Sequence, residues 1–283
     1  MILVLVSTAA ICGSAAAEGN ASAADEKYTL HENLHVGQKV SNSIHYECKV
    51  NSTATTNGKQ TATNTTTALS WKVTLTILDE KDGSATRAQA DVDPDSFDTA
   101  KDADGPEKKI PCPFAGKTVV LARHPDESIT NDFTGTASDD DLDMLNNFIT
   151  PDEDFYPDIP VAVGETWDNT AKAGRHAQLG PNDRMASVCR LDWVKTIDGK
   201  QMAQISNSVA IIYHEAGNVE EDTSYTASVL VNVAAGMIVK GDEKGSSKYA
   251  TPAAEATQMS GGTEFTFQCQ AVPVAAAGAT TRP

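Results

Sequence analysis

Two stretches of this chain repeat the same order of signals, and that duplication restricts the fold more than any other feature. Val36-Gly37 opens one copy and Val163-Gly164 the other; each is followed by alternating apolar residues and then an Asp-Gly turn, Asp82-Gly83 in the first and Asp198-Gly199 in the second. Behind each Asp-Gly comes a long alternating run, 84–92 and 200–213, and then a strand pair that turns through 126–128 or 234–236. Alternation of period two places successive side chains on opposite faces, so each run buries one face and leaves the other to water. Residues 28–135 and 161–272 are therefore expected to be two β-rich repeats, joined through a helix and linker at 136–160. If the copies are equivalent, Leu75 corresponds to Leu191.

The runs are explicit. Ile44, Tyr46, Cys48 and Val50 share one face, as do Leu69, Trp71, Val73, Leu75 and Ile77. In the second copy Cys189, Leu191 and Trp193 oppose Arg190, Asp192 and Val194, and the pattern continues through 209–213, 227–233 and 265–269. Asn57-Gly58, inside the Thr/Asn-rich tract 51–68, is a hairpin-turn signal between two β-prone arms. The acidic, proline-bearing stretch 91–113 has no counterpart in the second copy, and both tracts are expected to map to surface insertions. Ser138 stands before Asp139, Asp140 and Asp141, carboxylates favoured in a first helical turn; Leu142, Leu145, Phe148 and Ile149 then fall on one face before Pro151 ends the helix. The fold class predicted is mainly β (α+β): tandem repeats of curved antiparallel sheet with one amphipathic connecting helix, a half-barrel closed over that helix.

The 22 basic and 39 acidic residues give a formal charge of −17 with no basic stripe, so nucleic acid is not an expected partner. Residues 1–17 read as a signal peptide, with an unbroken apolar and small-residue run followed by Ala15-Ala16-Ala17 before Glu18. A polar segment at 18–27 follows, and the Ala-rich end at 273–283 reads as a disordered tail. The expected location is periplasmic or extracellular; Cys12 supplies the alternative of a lipoprotein anchored through an acylated thiol, although Ile11 stands where such a motif carries Gly or Ala. Without Cys12, the cysteines Cys48, Cys112, Cys189 and Cys269 form an even set in an exported chain, which predicts two disulfides of undetermined pairing and no reduced thiol.

The layout of Val36-Gly37-Gln38, Asp82-Gly83, the 116–121 strand, the helix, and Pro160-Val161-Ala162-Val163-Gly164-Glu165-Thr166-Trp167 resembles an uncharacterised group of exported bacterial envelope proteins, defined only as a domain of unknown function. The likeness spans most of residues 28–272, with 160–167 its sharpest element. It implies a periplasmic or surface protein, often a lipoprotein, and its curved sheets are distantly similar to lipoprotein-carrier half-barrels that hold acyl chains. It brings no catalytic residues with it.

His31-Glu32-Asn33-Leu34-His35 matches the HExxH pattern, in which two histidines one helical turn apart bind zinc and the glutamate activates water. That chemistry needs a helix, whereas Leu30, Leu34 and Val36 alternate in the manner of a strand and Gly37 follows at once. Asp91, Asp93, Asp95 and Asp102 occupy the spacing of a calcium loop, but Ser96 stands where glycine is required and Pro94 intrudes. Asn20, Asn51 and Asn64 lie in glycosylation sequons.

The expected function is a non-enzymatic exported binding or scaffold protein without a cofactor, holding an apolar or lipid ligand under its curved sheet. Trp71, Leu75, Trp193, Phe265 and Phe267 are the expected pocket lining. The alternatives are a zinc metallohydrolase using His31, Glu32 and His35, and a surface protein that meets an envelope partner with no small ligand.

Overall fold

The structure, a computed structural model, describes residues 26–102, 105–150, 155–175, 179–215, 219–251 and 257–274. The expected signal peptide with Cys12, and most of the expected tail, lie outside the described residues. The first half supplies β1 (Lys27–Tyr28), β2 (Lys39–Thr56), β3 (Lys59–Lys81), β4 (Ser84–Val92), β5 (Phe97–Asp102), β6 (Lys108–Pro111), β7 (Thr118–Arg123) and β8 (Ile129–Asn131). Helix α1 (Asp139–Asn146) runs on into a 3-10 turn (Asn147–Ile149). The second half supplies β9 (Val161–Ala162), β10 (Thr166–Asp168), the short helix α2 (Thr170–Gly174), β11 (Arg184–Ile197), β12 (Lys200–Glu215), β13 (Val219–Asn232), β14 (Met237–Ala250) and β15 (Thr257–Pro273).

Nearly all of these strands belong to one antiparallel sheet, in the order β10-β11-β12-β13-β14-β15-β2-β3-β4-β7-β8. The sheet is curved and is not closed into a barrel. Its halves meet along β15 and β2, whose ladder runs from Thr257 opposite Thr56 to Pro273 opposite Val40. Turn chemistry sets the hairpins: Asn57-Gly58, Asp82-Gly83 and Asp198-Gly199 all carry positive φ at both positions, the geometry whose twist matches paired strands.

The same hydrogen-bond cassette occurs in both halves. The Gly37 N–H donates to the Ile77 carbonyl at 2.8 Å, the Gln38 N–H to His35 at 2.9 Å and the Ile77 N–H to Gln38 at 2.9 Å. Gly164 donates to Leu191 at 2.7 Å, Glu165 to Ala162 at 3.1 Å and Leu191 to Glu165 at 3.1 Å. A register shift follows each cassette, between Ile77 and Asp79 on β3 and between Leu191 and Trp193 on β11. In this pattern the counterpart of Leu191 is Ile77, two residues on from Leu75 and on the same face.

The tracts expected as loop insertions are built largely of strands. Residues 51–56 and 59–68 extend β2 and β3 around the Asn57-Gly58 turn, and 97–102 and 108–111 form a hairpin whose β5 pairs with β3. The calcium spacing fails for that reason. Asp91 sits beside Thr74 and Asp102 beside Thr65, so the two carboxylates are separated by about 30 Å of extended chain.

Helix α1 forms as its sequence predicts. The Ser138 hydroxyl accepts from the Asp141 N–H, and the Asp141 carboxylate accepts from the Ser138 N–H, a reciprocal cap. Leu145 and Ile149 are buried against Trp71, Val73, Leu121 and Phe114, with Leu142 and Phe148 packed at the margin. A second cluster joins Cys189, Leu191, Ile205, Val229 and Val231 to Leu30, Tyr156 and Val161, which cover that end of the sheet.

The 29–35 segment that carries the HExxH pattern contains no helical turn. It is pinned in irregular conformation: Leu34 donates to the Gly83 carbonyl at 2.7 Å, and β-carbons at Gly83 or Gly236 would collide with the Glu32 or His31 carbonyl. The imidazoles of His31 and His35 therefore lack the one-turn helical spacing that the zinc mechanism requires, and the metallohydrolase reading is withdrawn.

Candidate functional site

Between the concave face of the sheet and the α1 segment lies a cavity of about 310 Å³. Its wall draws on six strands: Val40, Asn42 and Ile44 on β2, Leu75 and Ile77 on β3, Ala85 on β4, Ala227 and Val229 on β13, Gly241 and Glu243 on β14, and Phe267, Cys269 and Ala271 on β15. Met144, Asn147, Phe148, Ile149 and Thr150 form the roof with Phe155, while Glu32 and Leu34 also contribute to the lining.

Two glycines on β14 make room for neighbouring side chains, Gly241 in the cavity wall and Gly245 beyond it. A β-carbon at Gly241 would stand 2.7 Å from the Cys269 Sγ and 3.7 Å from Val229, and one at Gly245 would reach the Phe265 ring and the Tyr225 β-carbon. Glu243 falls between these two glycines on the same face, opposite Ala227 on one neighbouring strand and Phe267 on the other. Burial disfavours its ionised form and pushes its pKa up to about 7. Burial is also the main reason the phenols of Tyr46 and Tyr225 are raised, with the Glu243 charge adding to both. Their rings approach Phe265, at centroid distances of 6.5 and 6.2 Å, farther along the same face.

Glu32, in the N-terminal segment, brings a second, buried carboxylate to the lining. Asp242 also borders the cavity, but its carboxylate accepts from Lys240 Nζ at 2.8 Å and from Gln268 Nε2 at 3.1 Å. No lysine, arginine or histidine lines the cavity among the described residues. Nor do the described residues include a cluster of three or more His, Cys, Asp or Glu side chains able to hold a metal ion.

Of the residues expected to line a pocket, Leu75 and Phe267 stand in the cavity wall. Phe265 lies in a separate shallow depression with Tyr225 and Gly245. Trp71 is fully buried away from the cavity, edge-on to Phe114 at 5.6 Å, its indole N–H donating to Asp98 Oδ1 at 2.8 Å. Trp193 is not part of the lining, and a β-bulge explains why. Leu191 pairs with Ile205 but Trp193 with Gln204, so Asp192 is extra and the alternation reverses beyond it. Val194, expected on the outer face, packs instead against the second cluster.

The expected disulfides are also absent: none of Cys48, Cys112, Cys189 and Cys269 is bridged. Strand register keeps them apart. Cys48 pairs with Phe265 while Cys269 pairs with Ile44, four positions away along one ladder; Cys112 and Cys189 belong to different core clusters. Glu243 and its flanking glycines escaped the sequence reading because β14 is too polar to advertise a strand. The available signal was the spacing Gly241-x-Glu243-x-Gly245, a carboxylate on one face between two missing side chains.

No protein-family model and no curated protein matches the sequence. Among solved structures, the chain is similar to an outer membrane channel from Pseudomonas putida F1, with 8% identity over 86% of this chain and 98% of the channel and a TM-score of 0.24. It is also similar to a protein from Desulfovibrio piger that belongs to a domain-of-unknown-function family, with 8% identity over 84% of this chain and 87% of that one and a TM-score of 0.14. Likenesses this weak carry no functional argument. No helix among the described residues is long and apolar enough to cross a membrane, which says nothing of strands.

Proposed function

We propose that this chain is an exported, non-enzymatic envelope protein that holds an apolar ligand between its curved sheet and α1. The observation that carries this reading is the cavity itself. At about 310 Å³ it lies at the small end of the range for ligand sites, and its aliphatic and aromatic wall is interrupted by few polar groups. A sheet built only for stability would fill that space, since interiors pack to crystal-like density; here the wall position Gly241 carries no side chain. Export rests on the apolar 1–17 segment.

Native mass spectrometry of the full chain, purified from its own envelope without detergent, tests the reading. A co-purifying small apolar molecule, lost when Gly241 is replaced by valine, is the expected result. Protein of bare polypeptide mass that also binds no added hydrophobic probe would overturn it, and would favour a surface protein that meets an envelope partner.

A further inference from the structure

Resting on the cavity reading above, we propose that the ligand is a cationic amphiphile: a single apolar chain ending in a protonated amine that docks on the Glu243 carboxylate. Three observations converge. Glu243 has no hydrogen-bond or ion-pair partner among the described residues, although its strand neighbours on the same face are glycines and its cross-strand neighbours are Ala227 and Phe267. The other carboxylate on that strand, Asp242, is already matched by Lys240. Finally, the lining offers no cation with which to receive a carboxylate or phosphate headgroup.

The physical consequence is one-sided. An ammonium would give the isolated carboxylate a charge-assisted hydrogen bond in a poorly solvated place, where such bonds are strongest. An anionic headgroup would instead meet a like charge with no counterion, and a neutral alcohol would gain one ordinary hydrogen bond. The overall charge of −17 draws cations toward the molecule from a distance. Because burial raises the free Glu243 carboxyl to about 7, the amine should bind more tightly as pH rises through neutrality and the docking group ionises. The other titratable groups to consider on the packed elements are Tyr46 and Cys48 on β2, Tyr225 on β13, Cys269 on β15, Glu32 in the N-terminal segment and Asp140 on α1. The two tyrosines remain protonated throughout this range.

The test is calorimetric titration of the full chain with dodecylamine, dodecanol and dodecanoate at about pH 8, repeated with Glu243→Gln, whose fold is checked by circular dichroism. The amine should bind at least about tenfold more tightly than dodecanoate, with dodecanol between them. Glu243→Gln should reduce the amine to the level of dodecanol while leaving dodecanol unchanged. Lowering the pH to about 5.5 should weaken the amine alone. Equal or tighter binding of dodecanoate overturns the proposal. So does an amine preference that survives Glu243→Gln, which would mark adsorption to the acidic surface. If dodecanol binds but no amine preference appears, only this inference fails; if none of the three binds, the cavity reading fails with it.

Discussion

Gly241 faces Cys269 across the β14–β15 ladder so closely that a β-carbon at Gly241 would stand 2.7 Å from the Cys269 Sγ. Glycine inside a strand is ordinarily a liability of about 0.5–1 kcal/mol, and alanine would usually improve it. Here the sign should reverse. Gly241→Val is expected to cost about 1–3 kcal/mol through overpacking and to abolish binding of any apolar probe in the cavity. Denaturant unfolding and probe titration measure the two effects; a variant that is more stable and still binds would contradict the cavity geometry.

Stability should fall as pH rises across the Glu243 transition. The folded carboxyl titrates near 7 and the unfolded one near 4.5, so between those values the folded state holds the extra proton and each step up in pH favours unfolding. Asp98, raised chiefly by burial, acts in the same direction just above the ordinary aspartate range. Asp126, Asp168 and Asp183 act oppositely. Their carboxyls are held low by hydrogen bonds from Ser128, from Thr170, and from the His214 and Gly180 N–H groups, so their contribution is present above the ordinary aspartate value and lost in acid. Urea unfolding followed from about pH 5 to pH 8 should lose on the order of 3 kcal/mol or less, and Glu243→Gln should flatten most of that slope. An unchanged slope in the variant would place the carboxyl in water.

Trp71 carries both a packing load and a polar one. Its ring is fully buried against Phe114, and its N–H is the donor to Asp98. Trp71→Ala should cost about 3–5 kcal/mol through the cavity it leaves. Trp71→Phe keeps most of the apolar area but removes that donor from Asp98, at about 1–2 kcal/mol. Adding Asp98→Asn to Trp71→Phe should recover part of that loss, which equilibrium unfolding of the double variant would reveal. No recovery would mean that the indole acts by volume alone.

Thiol reactivity separates the cysteines by burial. Cys112 and Cys189 are buried and pushed up to about 11 by desolvation, so neither thiolate nor access is available in the folded chain. Cys48 and Cys269 are half-buried. A maleimide pulse on native, unreduced protein, read by peptide mass spectrometry, should modify Cys48 and Cys269 well before Cys112 and Cys189, all four becoming reactive after unfolding. Disulfide-linked peptides in that digest would contradict the strand register that keeps these thiols apart.

Much of the architecture is written locally. Asn57-Gly58, Asp82-Gly83 and Asp198-Gly199 specify hairpins because positive φ at both positions suits little else, and period-two runs such as 69–77 specify which face is buried before any partner strand is known. The capping pair Ser138 and Asp141 likewise marks where α1 starts. Tertiary structure alone decided three matters. The bulge at Asp192 turned Trp193 away and Val194 inward, because a bulge is defined by its partner strand and not by its own residues. Register across the β15–β2 ladder kept Cys48 and Cys269 apart, a distance set by pairing between residues some two hundred positions apart in the chain. Lastly, Gly241 and Glu243, which on a polar strand look like surface, became part of the wall of a cavity because sheet curvature and the α1 roof placed their face inside. Local propensity acts over a few residues, whereas burial depends on what the whole chain brings opposite them.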